Sequence, residues 1–341
     1  MARQLLTPKA GATALIRQPP ALTFRGSSRA DWSSWRRRFR AALLRVMGPA
    51  PRPRPLRVRV LDRDTFDGYT RQTIAFDPDG FSTVVAYVLV PDGIRRGERR
   101  PGILCAHGHG AGKADLVEGG RDAYKQIAVQ LVRAGYVVVA PDWRSFGERR
   151  DEAKYIGHFG DEHGGDGCDL SYMLYGYFGY QMLTLDVADA RQCLDYLQSR
   201  RDVDGGRLGM IGCSFGGTMT TFTAALDRRV KAAVISGYLS TIGDALGDRG
   251  GGNTCGSQFV FGLRAIGDIA DVAGLIAPRP CLVQIGKRDE IFDERDGLLA
   301  YQHLRRIYRA AGSDALELNH FDGGHEFHVP PVLAFLRRHL A

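Results

Sequence analysis

The chain has 341 residues, of which 44% are hydrophobic and 25% are charged, and its formal net charge is +8. These values are ordinary for a globular protein and supply enough apolar residues for a large core. No apolar run approaches the roughly 20 residues that a transmembrane helix needs, so a membrane-spanning protein is excluded. The first 20 residues lack an unbroken apolar region, which predicts no signal peptide and therefore a cytoplasmic protein.

The basic charge is concentrated near the N-terminus. Residues 1–60 contain 14 Lys and Arg against one acid, Asp31, whereas the rest of the chain contains 32 against 37. Residues 29–47 are predicted to form an amphipathic helix that starts near Asp31 and ends at Gly48. We favour packing of its apolar side on the body of the protein. The alternative is that its arginines bind an acidic polymer or a membrane surface. We expect no nucleic-acid partner.

A proline-rich connector, residues 49–55, follows this helix. It divides the chain into a predicted basic arm, residues 1–55, and one predicted domain, residues 56–341. The first strands of that domain are predicted to lie at one edge of a sheet. From residue 101 strands and helices alternate, which predicts an α/β fold with a mostly parallel sheet and helices on both faces. The predicted strands are 56–61, 71–76, 83–90, 102–107, 136–141, 207–212, 231–236, 281–286 and 315–320, and the predicted helices of the domain are 121–134, 180–199, 215–226, 295–311 and 329–340.

Six cysteines are present, and their positions do not suggest a disulfide framework. Four of them lie in apolar strand-like or helical segments, which is typical of buried thiols. Cys168 and Cys255 fall in loop-like sequence, and a bridge between these two is left open.

Residues 209–219, GMIGCSFGGTM, place Ser214 between two glycines. A predicted strand precedes this serine and a helix of small residues follows it, so the segment predicts a sharp strand-to-helix turn with an exposed hydroxyl. Gly212 and Gly216 allow the backbones to approach closely in such a turn. The helix N-terminus stabilises negative charge that develops at the hydroxyl. We therefore predict Ser214 as the nucleophile and interpret Cys213 as a buried packing residue.

A nucleophilic serine needs a base, and the base needs an acid that orients it. On a sheet of this kind the three groups follow in the order serine, acid, histidine. Asp289 comes just after predicted strand 281–286, and His325 lies in a glycine-containing loop after the next strand. We predict these two residues as the acid and the base. Weaker candidates are Glu290 and Asp293 for the acid, and His320 and His328 for the base.

The segment HGHGAGK, residues 107–113, directly follows a predicted strand. A turn at its start would direct the backbone N–H of His109 toward the nucleophile, and the N–H of Phe215 would be the second donor to an oxyanion. A metal site is the competing interpretation, built from the two histidines of this segment and the loop 157–169. The spacing matches no metal motif, and we predict no metal. The loop residues concerned are His158, Asp161, Glu162, His163 and Asp166.

Residues 150–180 are predicted to form a lid or a pocket wall. Five aromatic residues lie within positions 171–180. Of these, Tyr175 and Phe178 are our candidates for contact with substrate. The alternative is that the aromatic residues only cover the core.

Taken together, the motifs resemble those of the α/β-hydrolase superfamily, in particular the branch of serine esterases similar to dienelactone hydrolase and acetylxylan esterase. The likeness rests on seven segments, DGYTRQTIAF, ILCAHGHGAGK, APDWRSFGER, GCSFGG, NTCG, LIAPRPCLVQIGKRD and FDGGHEFH. It implies a triad of Ser214, Asp289 and His325 and no cofactor. Dienelactone hydrolases themselves use a cysteine where this chain has Ser214, so their substrate is not carried over.

These observations predict a serine carboxylesterase that acts on a small-molecule ester through an acyl-enzyme, with acetylated sugars as one substrate class. An acyltransferase and a peptidase similar to prolyl oligopeptidase would use the same fold and triad. A non-catalytic binding protein is a less favoured alternative, because no triad residue is missing. Whether the protein forms a homo-oligomer stays open.

Overall fold

A computed structural model describes residues 7–119, 122–151, 167–243 and 255–340. Within these ranges one sheet of nine strands organises the chain, in the spatial order β1-β2-β3-β5-β4-β6-β7-β8-β9. The strands are β1 Arg59–Phe66, β2 Tyr69–Phe76, β3 Val84–Pro91, β4 Arg100–Ala106, β5 Val137–Pro141, β6 Val203–Cys213, β7 Val230–Ser236, β8 Cys281–Gly286 and β9 Leu316–Phe321.

The first three strands form the antiparallel edge of this sheet, and β4 to β9 run parallel to one another. The predicted fold class and the position of the early strands are therefore confirmed. The first strand was predicted at 56–61, whereas pairing with β2 begins at Arg59. Leu56 and Val58 instead pack against the core. Because β1 is exposed along almost its whole length, it carries no apolar alternation that could mark its bounds.

The helices in the described ranges are α1 Pro8–Ile16, α2 Arg29–Met47, α3 Ile127–Arg133, α4 Cys168–Tyr177, α5 Met182–Ser199, α6 Phe215–Leu226, α7 Leu263–Ile266, α8 Ile269–Gly274, α9 Glu294–Ala310 and α10 Val329–Leu340. Four of these, α1, α4, α7 and α8, were not predicted. The helix predicted at 121–134 begins only at Ile127, because Gln126 has left-handed backbone angles. None of the helices in the described part of the chain is long and apolar enough to span a bilayer.

Two hydrophobic cores flank the sheet, because successive side chains of a strand point to opposite faces. In β4, Leu104 and Ala106 belong to the core that includes α2, α5, α6, α8 and α9. Ile103 and Cys105 belong to the other core, with α3 and α10. This arrangement confirms the prediction of helices on both faces.

The N-terminal helix α2 packs on the body of the protein by its apolar side. Trp35, Phe39 and Leu43 are buried in the larger core, and the indole Nε1 of Trp35 donates to the carbonyl oxygen of Leu22 at 2.7 Å. The helix starts after Ser28, whose hydroxyl forms a capping box with Asp31. These contacts agree with the favoured interpretation that the apolar side of this helix packs on the body of the protein. The division of the chain into an arm and a domain at residue 55 stays a prediction.

Candidate active site

Ser214 lies in the sharp turn that the sequence predicted, between the end of β6 and the start of α6. Its backbone has φ of 61° and ψ of −126°, a conformation that a non-glycine residue rarely adopts. Its N–H donates to the carbonyl oxygen of Ser236, at the end of β7, at 3.1 Å. The neighbouring Cys213 is fully buried, and burial raises the pKa of its thiol to about 12. Cys213 is therefore a neutral packing residue.

The glycines of the motif allow backbone segments to approach more closely than a side chain would permit. A Cβ atom on Gly212 would lie 2.1 Å from the carbonyl oxygen of Gly216, and one on Gly216 would lie 2.1 Å from that of Ala106. A Cβ on Gly108 would lie 2.9 Å from the Cβ of Ser214. The loop after β4 therefore passes directly beside the serine, where the sequence placed a donor for the oxyanion.

The structure brings His325 and Asp289 together. The imidazole Nδ1 donates to Oδ2 of Asp289 at 2.9 Å. The other carboxylate oxygen, Oδ1, accepts from the N–H groups of Ile291 and Phe292 at 2.9 and 3.0 Å. Since Oδ1 and Oδ2 are both engaged, the carboxylate is fixed in orientation. Nε2 of His325 is buried and has no hydrogen-bond partner among the described residues.

The loops that carry Asp289 and His325 are hydrogen-bonded to each other. The N–H of Arg288 donates to the carbonyl oxygen of Gly323 at 2.9 Å, which ties the loop after β8 to the loop after β9. The ring of His325 then packs against Gly237, where a Cβ atom would lie 3.0 Å from ring atoms Cε1 and Nδ1. Gly237 directly follows Ser236, the residue that binds the backbone of Ser214. All three predicted triad residues therefore gather around the end of β7.

The weaker candidates have other partners or lie in solvent. His320 contacts Glu294 at 2.6 Å, and His328 contacts the side chain of Asn319 at 3.0 Å. Asp293 caps the start of α9 by accepting from two backbone N–H groups. Glu290 is exposed. These contacts favour His325 and Asp289.

His107 holds the loop that follows β4. Its ring is fully buried. Nε2 accepts from the N–H of Trp143 at 3.0 Å, so Nδ1 carries the proton and donates to the carbonyl oxygen of Gly108 at 2.6 Å. Burial lowers the pKa of His107, which keeps the imidazole neutral. Both ring nitrogens are occupied by the backbone, so this side chain orients the loop and does not take part in the predicted alternative metal site.

The predicted pocket residues lie in different surroundings. The Tyr175 ring is centred 5.9 Å from the guanidinium of Arg144 and 6.2 Å from the ring of Phe81, and it lines a cleft of about 280 Å³. Phe178 is 78% exposed. A substrate contact by either residue stays a prediction.

Part of the predicted lid lies outside the described residues. Positions 152–166 are among those not described, and the five candidate residues of the alternative metal loop all lie there. These are His158, Asp161, Glu162, His163 and Asp166.

A buried charge cluster beside the site was not found by sequence reasoning. Arg144 follows β5 and binds Asp79 at 2.8 Å and Asp189 at 2.6 Å, and Arg149 binds Asp189 at 3.0 Å. Burial raises the pKa of the adjacent Asp186 to about 6. This cluster fixes the segment 142–149. The sequence signal was the run DWRSFGER, residues 142–149, directly after the predicted strand 136–141. This run belongs to one of the segments on which the family resemblance rests, but it was given no role.

The fixed segment reaches the turn at Ser214 through Phe146. The ring of Phe146 lies 5.6 Å from that of Phe215, the residue after Ser214, and 5.2 Å from that of His109. The charge cluster therefore supports the walls of the site and does not contribute a reacting group.

A strained serine between a strand and a helix, with a carboxylate and a histidine past later strands of the same sheet, is typical of the α/β-hydrolase class. The chain belongs to the abhydrolase family, whose model matches residues 10–322. The predicted resemblance to the α/β-hydrolase superfamily is therefore confirmed, and the chain is a hydrolase.

Known relatives agree with this assignment. The chain is 30% identical over 285 residues to the Bacillus subtilis (strain 168) protein named "Putative hydrolase YtaP", a match that covers 80% of this chain and 88% of the relative. The crystal structure of a "putative acetyl xylan esterase" from Bacteroides fragilis NCTC 9343 has a TM-score of 0.76 at 20% identity, covering 94% of this chain and 84% of that one. A glucuronoyl esterase from Solibacter usitatus has a TM-score of 0.67 at 18% identity, covering 94% and 97%. At these identities the two structures establish a shared fold.

Proposed function

We propose that this protein is a serine carboxylesterase with Ser214 as nucleophile, His325 as base and Asp289 as the acid that orients the base. The observation that carries the proposal is the state of His325. Its Nδ1 is held by a fixed carboxylate at 2.9 Å, and its buried Nε2 has no hydrogen-bond partner among the described residues. A general base needs one nitrogen held and the other available to a reactant.

The first half-reaction forms an acyl-enzyme. Ser214 Oγ attacks the carbonyl carbon of the ester as His325 Nε2 accepts the hydroxyl proton. Asp289 keeps the imidazole in the tautomer with Nδ1 protonated and stabilises the imidazolium that forms. When the tetrahedral intermediate collapses, the imidazolium returns the proton to the departing alkoxide, which leaves as an alcohol.

The second half-reaction releases the acid. His325 Nε2 takes a proton from water as the water oxygen attacks the acyl carbon. When this second tetrahedral intermediate collapses, its bond to Ser214 Oγ breaks, the imidazolium returns the proton to Oγ, and the carboxylic acid is released. In both steps the backbone N–H groups of His109 and Phe215 stabilise the oxyanion. Two features support this role, namely the close approach of the loop after β4 to Ser214 and the position of Phe215 as the first residue of α6.

The proposed substrates are esters of small acids, with acetylated sugars as one class. The basis is the fold shared with the structure named "putative acetyl xylan esterase". A shared fold does not fix the acyl chain or the alcohol, which the assay below measures.

The test is a panel of 4-nitrophenyl esters from acetate to long-chain acids, assayed beside acetylated sugars. We expect turnover with the short esters and its loss in Ser214→Ala, by about 10⁶-fold as for the equivalent change in a serine protease. Ser34→Ala, at an exposed position of α2, is the matched control and should retain turnover. Added alcohols measure the competing acyltransferase reaction, since they would divert the acyl group from water. Equal activity of Ser214→Ala and the parent chain would overturn the proposal.

A further inference from the structure

Three side chains with nitrogen or sulfur donor atoms converge beside the proposed oxyanion loop. His109 Nε2 lies 2.9 Å from Sγ of Cys255 and 3.9 Å from Sγ of Cys168. The three donor atoms all lie within 4.8 Å of one another. None of the six cysteines is in a disulfide bond, so the bridge between Cys168 and Cys255 that the sequence left open is not formed.

The cluster joins three segments that are distant in sequence. Residues 255–258 pack on the first turn of α4, where the N–H of Gly256 donates to Oδ1 of Asp169 at 2.6 Å. The contact is close, since a Cβ on Gly256 would lie 2.3 Å from the Cβ of Tyr172. This packing places the two cysteines side by side. The His109 ring reaches them from the loop after β4.

The ring of His109 is itself held in place. It lies 5.2 Å from the ring of Phe146 and 5.5 Å from that of Phe215. Two aromatic neighbours therefore fix the imidazole while its Nε2 faces the thiols.

The donor set and its spacing suit zinc. Zinc binds cysteine sulfur at about 2.3 Å and histidine nitrogen at about 2.0 Å, so neighbouring donors of a tetrahedral site lie roughly 3.3 to 3.8 Å apart. The observed nitrogen–sulfur distances of 2.9 and 3.9 Å bracket that range. We propose that His109, Cys168 and Cys255 form a binding site for Zn²⁺, with water as the fourth ligand.

A hydroxyl group beside the cluster also supports binding. The fully buried Ser257 places its Oγ 2.8 Å from Sγ of Cys255, as an outer hydrogen-bond partner for a coordinated thiolate. The bound ion would link the loop of His109 to α4, and it has no part in the proposed ester chemistry.

The test uses the full chain, purified with a reductant and stripped of metal with a chelator. Co²⁺ serves as a spectroscopic probe, and Zn²⁺ affinity is measured by competition with a chromophoric chelator. We expect one equivalent of Co²⁺ to give a thiolate-to-cobalt charge-transfer band. Cys168→Ala and Cys255→Ala should each weaken Zn²⁺ binding by more than the roughly 100-fold that loss of an outer partner costs at most. Cys193→Ala, a buried thiol of α5 outside the cluster, is the matched control and should bind Zn²⁺ like the parent chain.

Several results would overturn the inference. One is a Co²⁺ complex of the parent chain without a thiolate band, which tests the site even where a variant fails to fold. Another is equal loss of affinity in Cys193→Ala and Cys255→Ala. Because ester hydrolysis is not the readout, failure here leaves the proposed esterase function standing, and failure of that function leaves the zinc site standing.

Discussion

Arg144 and Asp289 each lie three residues after a strand of the parallel sheet, and each belongs to a cluster of ionisable side chains. The two clusters have different roles. Arg144 follows β5, and its guanidinium is bound by Asp79 and Asp189. Asp289 follows β8, and it binds one nitrogen of His325. In the first cluster opposite charges bind each other, and Arg144 Nε and Asp189 Oδ1 also lack a partner among the described residues. In the second, the buried nitrogen without a partner belongs to a histidine packed on Gly237, next to the residue that binds the backbone of Ser214.

The difference teaches how to separate a supporting cluster from a reactive one. Charges whose partners are other charges contribute to stability and to the shape of the site, and an unpartnered atom among them does not make them reactive. A reactive group needs one partner to orient it, one atom left for the substrate and a position beside the nucleophile. Substitutions in the two clusters should therefore affect different quantities, namely turnover at Asp289 and the free energy of unfolding at Asp189.

The largest expected effect is on turnover in the acid loop. Asp289→Asn should lower kcat by about 10⁴-fold, because the amide cannot hold the productive tautomer of His325. Asp293→Asn is the matched control, since Asn is also a good helix cap, and Glu290→Gln is an exposed control. Both should stay within about tenfold of the parent chain, measured as the rate of acyl-enzyme formation. If Asp293→Asn were instead the inactive variant, Asp289 would not be the acid.

The next effect is on stability in the Arg144 cluster. Asp189→Asn should lower the free energy of unfolding by about 3 to 5 kcal/mol, because it leaves two buried arginines without their shared carboxylate. Asp195→Asn, on the same helix, breaks only a surface ion pair with Arg229 and should cost about 1 kcal/mol or less. Denaturant unfolding measures both. Equal costs would show that the buried cluster is no more important than a surface pair.

The smallest effect is a pH dependence from Asp186. Its pKa is raised by burial to about 6 in the folded protein, above the value of 3.8 expected for an unfolded chain. The folded state therefore binds a proton more tightly, and the resulting stability is present below about pH 4 and lost as the pH rises through 6. Relative to Asp186→Asn, the parent chain should lose on the order of 2 kcal/mol across this interval. An unchanged difference between the two unfolding curves at pH 4 and pH 7 would contradict a raised pKa.

The parts of the site that could be predicted are those set by local backbone requirements. The turn at Ser214 was predictable because Gly212 and Gly216 mark where no side chain fits. The pairing of Asp289 with His325 was predictable from the strand pattern, since each residue comes just after a recognisable strand. The helix bounds 215–226 and 329–340 agreed with the structure for the same reason, because both helices follow clear breaks in the sequence.

The parts that could not be predicted depend on partners far apart along the chain. Arg144 meets Asp79 across 65 residues and Asp189 across 45. His109 and Cys255 are separated by 146 residues. No periodicity in the sequence encodes such meetings, because they result from the packing of whole elements. Helix α4 was missed for a related reason, since its aromatic residues were interpreted as a pocket wall and not as part of a helix.

The most direct test of the central claim is to find which residue becomes acylated or phosphonylated. The protein is treated with a fluorophosphonate, digested, and the modified peptide is sequenced by mass spectrometry. We predict one equivalent of label on Ser214, slow labelling in Asp289→Asn and none in Ser214→Ala. Stoichiometric label on another residue, or labelling of Ser214→Ala at the rate of the parent chain, would contradict the assignment of Ser214 as the nucleophile.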